Sequence, residues 1–139
     1  MFAKQLTVFI ENRTGRLSEV LGVLKAAKVN ILSLSLADTT EFGLLRLIVD
    51  NPAKGKEELT ENGFSSLLSD VLVIEIPHKA GSLQSFLNLA DKAGVNIEYM
   101  YGLSMSGQEA SIVVKISDLA KADEVFEKHG IQTLSYEVL

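Results

Sequence analysis

The sequence predicts an α+β protein made of two copies of one βαββαβ unit, each an antiparallel sheet with its helices on one face. Three observations carry that prediction: an internal repeat, a change of hydrophobic period inside each copy, and a composition suited to compact folding. The repeat is the strongest of them. Ile10-Glu11-Asn12-Arg13-Thr14-Gly15-Arg16-Leu17 followed by Val29-Asn30-Ile31 returns as Ile76-Pro77-His78-Lys79-Ala80-Gly81-Ser82-Leu83 followed by Val95-Asn96-Ile97. Gly15 and Gly81, Leu17 and Leu83, and Asn30 and Asn96 are each 66 residues apart. A unit of that length copied once is too long for a solenoid repeat and indicates two similar small domains, 1–69 and 70–139.

Within the first copy, Leu6 to Ile10 reads as a strand, and Leu17, Val20, Leu21 and Leu24 then recur at helical spacing, predicting an amphipathic helix over 16–28. Residues 31–36 and 44–49 are β-like, separated by the polar turn Asp38-Thr39-Thr40-Glu41. A weaker helix covers 53–62 with Gly63 just past its end, and 64–68 forms a last short strand. The second copy repeats the order with strands near 71–76, 95–103, 110–116 and 131–138 and helices near 82–93 and 118–129. In the latter helix Leu119, Ala122, Val125 and Phe126 form the apolar stripe, and Ser117 or Asp118 caps its start.

The chain of 139 residues is 47% apolar, with two prolines, no cysteine and a formal net charge of −5. It has the means to bury a core, lacks the polar bias of disorder, and offers no disulfide, thiolate metal site or cysteine nucleophile. No stretch reaches the ~18 consecutive apolar residues of a membrane span and no secretory h-region opens the chain, so a cytoplasmic protein is expected. The acidic balance argues against a nucleic-acid footprint.

The element order is that of the ferredoxin-like split βαβ arrangement, a fold that hosts many unrelated functions. RNA binding on such a sheet needs stacking aromatics, and Leu44 to Val49 supplies one Arg and no ring. Metal transfer needs paired cysteines. An acylphosphatase-like reaction needs an Arg and an Asn around a phosphate, and only the first loop, with Asn12, Arg13 and Arg16, comes near. No nucleophile–base pair, metal cluster or phosphate loop is present, and His78 and His129 stand in different elements. No cofactor and no catalytic residue is therefore expected.

The first strand–helix junction offers a binding site instead. Gly15 and Gly81, lacking Cβ, let a ligand approach backbone N–H groups at the positive end of a helix, and Arg13, Arg16 and Lys79 flank the same place. Asn30 and Asn96 each open the second strand, where an amide donates and accepts at once, as recognition of an amino acid's ammonium and carboxylate requires; the same amide could equally bond local backbone. Asn12 and His78 hold equivalent loop positions and could reach a ligand or close a turn.

With these residues in view, the chain resembles the ACT domain over essentially its whole length, and more closely the stand-alone tandem ACT proteins, whose subgroup Glu98-Tyr99-Met100-Tyr101 fits. The resemblance implies an amino-acid-binding regulatory module with no enzyme activity. It also implies effector sites where the first loop of one unit meets the second strand of a neighbour, after sheets pair side by side. Carried over, Asn12, Gly15, Leu17 and Asn30, with Arg13 beside them, form one site, and His78, Gly81, Leu83 and Asn96 the other. The proline usual before the loop glycine is absent, Thr14 and Ala80 standing there instead. The apolar residues on both faces of 44–49 and 112–116 predict a homodimer, with Tyr99 and Tyr101 as contact candidates. A regulated protein partner completes the expectation. The alternative is an interaction or assembly module that uses the sheet face and keeps vestigial effector loops.

Overall fold

The structure, a computed structural model, describes residues 2–38, 42–104 and 107–134. The chain separates into two compact units, Lys4–Ser69 and one that starts at Asp70. In the first, β1 (Ala3–Glu11), α1 (Arg16–Ala26), β2 (Ile31–Asp38), β3 (Phe42–Val49), α2 (Pro52–Glu61) and the start of β4 (Ser65–Pro77) follow in sequence. The second continues with the rest of β4, α3 (Ser82–Lys92), β5 (Ile97–Ser104), β6 (Glu109–Ile116), α4 (Leu119–Lys128) and β7 (Gln132–Leu134). Strand order is β2-β3-β1-β4 in the first unit and β5-β6-β4-β7 in the second, and the pairs β1–β3, β2–β3, β4–β6, β4–β7 and β5–β6 are antiparallel. Both are ferredoxin-like βαββαβ units.

Strand alternation builds each core. Leu6 faces Leu47 and Val8 faces Leu45 across β1 and β3, and these buried side chains pack under Val20 and Leu24 of α1 and Leu59 of α2. In the second unit Leu72, Ile74 and Ile76 of β4 pack with Phe86, Ala122 and Phe126, the rings of Phe86 and Phe126 lying 5.0 Å apart and tilted by 56°. Gly55 sits inside α2 because a Cβ there would come within 3.2 Å of Leu6 Cδ2 and 3.5 Å of Leu24 Cδ2. The helix therefore lies close on the sheet.

Several elements depart from their sequence-based limits. The strands expected at 64–68 and 71–76 are one strand, because Leu67-Leu68-Ser69-Asp70-Val71-Leu72 contains no Gly or Pro to break extended backbone. Helix α1 stops at Ala26, two residues early. Lys28 adopts φ 59° just past its end, and the Val29 N–H closes the turn on Leu24 O at 2.9 Å. Its buried stripe is Val20 and Leu24, while Leu17 stays 37% exposed. Asp118, not Ser117, caps α4 by accepting from the Lys121 N–H at 3.1 Å, and Asn51 caps α2 in the same way at 3.2 Å. Thr39-Thr40-Glu41 of the expected hairpin turn and residues 135–138 of the expected last strand lie outside the described residues. Register settles the phase of β5: Met100 and Gly102 pair with Val114 and Ile112 of the core, so Tyr99 and Tyr101 lie on the sheet face away from the helices.

Candidate functional site

Each unit turns from its first strand into its first helix through a left-handed glycine. Gly15 has φ 89° and Gly81 φ 86°, values that an L side chain rarely adopts, and a Cβ at either would meet nothing within 4 Å. Glycine stands there for backbone conformation, and the space above it is open. Neither helix start carries a side-chain cap, in contrast to α2 and α4. The carbonyls of Gly15 and Gly81 already accept the first helical bonds, from Glu19 and Ser85 at 3.0 Å. Two equivalent, electropositive helix starts are thus presented by one backbone geometry.

The expected site residues group differently in the two units. In the first, Asn12, Arg13 and Leu17 line one small cleft of about 100 Å³ with Ile10, Leu36 and Gly43. Gly15 and Asn30 are not among its lining residues. Arg13 reaches back to Glu11, Nε to Oε2 at 3.1 Å, with both side chains more than half exposed. In the second, Gly81 and Lys79 line a larger cleft of about 410 Å³, closed in by Ser82, Ser85, Phe86 and His129. Leu83, His78 and Asn96 are not part of its lining. Leu83 matches Leu17 at 37% exposure.

The polar residues expected to recognise an amino acid also hold local structure. The Asn30 backbone N–H donates to Asp50 Oδ1 at 2.9 Å and the Asp50 N–H donates to the Asn30 carbonyl at 3.0 Å, tying the approach to β2 to the end of β3. Asn96 repeats this more loosely: its carbonyl accepts from the Ser117 N–H, and its Nδ2 donates to Ser117 Oγ, both at 3.4 Å. The His78 N–H donates to the Gln108 carbonyl at 2.7 Å, and its ring Nδ1 lies 3.2 Å from the Gly107 carbonyl, a contact that requires the proton on Nδ1. His78 therefore fastens its loop to the β5–β6 hairpin.

Arg16, read from sequence as a flanking cation, is engaged elsewhere. Its Cζ lies 4.3 Å from the Phe64 ring centroid, its Nη1 is 2.6 Å from Glu19 Oε2, and its side chain is only 16% exposed. The sequence pattern did not single out this packing, nor Ser85 and Phe86 of the larger cleft. Their signal was present as departures between the two copies: Arg16 against Ser82, Glu19 against Ser85 and Val20 against Phe86. Among the described residues no cluster of three or more His, Asp or Glu could hold a metal ion, and no helix is long and apolar enough to cross a membrane.

Two ferredoxin-like units, each with an open glycine-led helix start, form a tandem α+β module. The profile of the ACT domain pair matches residues 1–138, and the chain belongs to that family. Among solved structures, protein BT0572 from Bacteroides thetaiotaomicron is 37% identical, with a TM-score of 0.92, over 96% of this chain and 92% of that one. The regulatory subunits of aspartate kinase from Thermus thermophilus and Thermus flavus share the fold at 16% and 14% identity, with TM-scores of 0.60 and 0.62. The first alignment covers 88% of this chain and 92% of the subunit, the second 91% and 90%. No protein with a curated function matches the chain.

Proposed function

We propose that the protein is a non-catalytic cytoplasmic sensor of an amino acid, bound between the first loop of one unit and the second strand of a paired unit. Residues 1–69 and 70–139 act as its two domains. Asn12, Arg13, Gly15, Leu17 and Asn30 contribute to one site, and His78, Gly81, Leu83 and Asn96 to the other. The observation that carries this reading is the pair of uncapped helix starts behind left-handed glycines, each followed two residues later by an exposed leucine. The backbone suits a carboxylate, and Leu17 and Leu83 suit the apolar part of the same ligand. A ligand that spans two units binds their closed pairing more tightly than the open one, and a homodimer read by a protein partner converts that difference into regulation.

Thermal unfolding against each of the twenty amino acids at millimolar concentration tests the reading. A ligand at about 100 times its dissociation constant stabilises by about 2.7 kcal/mol. Asn30→Ala and Asn96→Ala are suitable controls, since the Asn30 bonds use its backbone and Asn96 loses only one long side-chain contact. A shift with one or a few amino acids, removed by one of these variants, supports the sensor. No shift with any of them overturns it.

An assembly module is the second reading, and a specific observation favours it: Leu34 and Leu36 of the edge strand β2, opposite Leu47 and Leu45 of β3 on one face, are 51% and 53% exposed. Exposed apolar residues so placed suit a protein contact. Under this reading Leu34→Ser with Leu36→Ser dissociates the homodimer in light scattering while amino acids cause no thermal shift.

A further inference from the structure

Equivalent positions of the two units hold different residues, and the difference opens a space. Arg16 and Ser82 are the first residues of α1 and α3, and Glu19 and Ser85 the fourth. Phe64 and Ile131 each follow the glycine after the second helix and close the same turn, their N–H groups donating at 2.9 Å to Leu59 O and Phe126 O. In the first unit the Arg16 guanidinium lies on the Phe64 ring and bonds Glu19, which fills the region between the helix start and the end of α2. In the second, Ser, Ser and Ile replace Arg, Glu and Phe, and the cleft of about 410 Å³ stands there. Phe86 and Leu89, in place of Val20 and Val23, give it an apolar floor without closing its mouth. Its volume falls within the range of small-molecule sites, roughly 300–1,000 Å³.

The lining states what the cleft would hold. Phe86, Leu89 and Ile131 offer apolar surface, while Lys79, Ser82 and Ser85 gather donors at one end and no acidic residue lines it. Ser82 Oγ is shut off from solvent with no hydrogen-bond partner, a cost that rotation of the hydroxyl toward an acceptor in the cleft would remove. Lys79 stands at the electropositive start of α3, and His129, its Nδ1 2.9 Å from the Val125 carbonyl, is the other basic residue of the lining. We propose that this cleft of the second unit is a binding site for a small monocarboxylate with an apolar body; it shares Gly81 with the proposed amino-acid site but none of His78, Leu83 and Asn96. A free amino acid fits it less well than the matching simple acid, because its ammonium group meets Lys79 and finds no carboxylate in the lining.

The test is titration of the ¹⁵N-labelled full chain with isovalerate, phenylacetate, their neutral amides and leucine, followed by amide chemical shifts. Saturable shifts at Gly81, Ser82, Ser85 and Ile131 are expected with the acids. The amides should bind about tenfold more weakly, as loss of charged hydrogen bonds implies, and leucine more weakly than isovalerate. Ser82→Arg with Ile131→Phe, which rebuilds the filling of the first unit, should abolish these shifts. Ser85→Trp, on the exposed face of α3, does so at the mouth if the double variant fails to fold. Asn96→Ala should leave them unchanged. Absence of saturable binding by either acid, equal affinity for acid and amide, or binding that survives both filling variants overturns the proposal. Loss of binding in Asn96→Ala also overturns it, and assigns the ligand to the loop and strand site instead.

Discussion

Lys28 and Gly94 occupy the same turn in the two units, and exchanging their chemistry is a stringent test of the backbone geometry ahead of Asn30 and Asn96. Both residues lie in the left-handed region, at φ 59° and 69°. The following N–H groups close both turns at 2.9 Å, Val29 on Leu24 and Val95 on Ala90. An L residue in that region costs about 1–2 kcal/mol, and glycine gives back about 0.4–1 kcal/mol through the greater freedom of the unfolded chain. Lys28→Gly should therefore stabilise the protein by about 0.5–1 kcal/mol as the net of these terms. Gly94→Ala should destabilise it by a similar amount, since its Cβ would meet only Lys121 Nζ at an ordinary 3.6 Å and no steric cost is added. Urea unfolding reads both. With a slope of about 2 kcal/mol per molar, the midpoints should move by about 0.4 M in opposite directions at constant slope. If Lys28→Gly lowers the midpoint, or Gly94→Ala leaves it in place, the left-handed turn is not what these positions contribute and the reasoning fails.

Four further outcomes are expected. Phe126→Ala removes a fully buried ring packed on Phe86 and should cost about 3–5 kcal/mol, with amide exchange accelerated first in residues 70–134. Asn51→Ala and Asp118→Ala each remove a helix cap and should cost about 1 kcal/mol in the same urea assay. Gly55→Ala should be destabilising even though alanine favours the helix by about 1 kcal/mol, because crowding the fully buried Leu6 and Leu24 costs about 1–3 kcal/mol; a gain in midpoint would show that the leucines yield. Arg13→Ala should change stability by less than about 0.5 kcal/mol, its pair with Glu11 being solvent-exposed.

The fold was legible because its signals are local. The repeat, the glycines at 15, 63 and 81, the leucine spacing of the helices and the apolar runs of β3 and β6 each act within a few residues, and the described elements fall within a few positions of their expected limits. The exceptions were also physical. Nothing local marks the union of two short strands into Ser65–Pro77, since strand length depends on what pairs along it. The end of α1 was read two residues late because Lys28, not glycine, takes the left-handed position there.

The candidate site divides along the same line. By itself the sequence determined two ferredoxin-like units, their helix starts and the equivalence of Gly15 with Gly81 and Asn30 with Asn96, since each follows from periodicity and one repeated spacing. Only the tertiary structure decided what the residues around those starts do. It bent Arg16 onto Phe64, a partner 48 residues away in the chain, fastened His78 to the hairpin carbonyl, and left an open cleft where serines and an isoleucine replace Arg16, Glu19 and Phe64. Those outcomes depend on side-chain volume across elements distant in sequence, and packing is settled by the sum of the volumes that meet, not by any one of the residues that supply them.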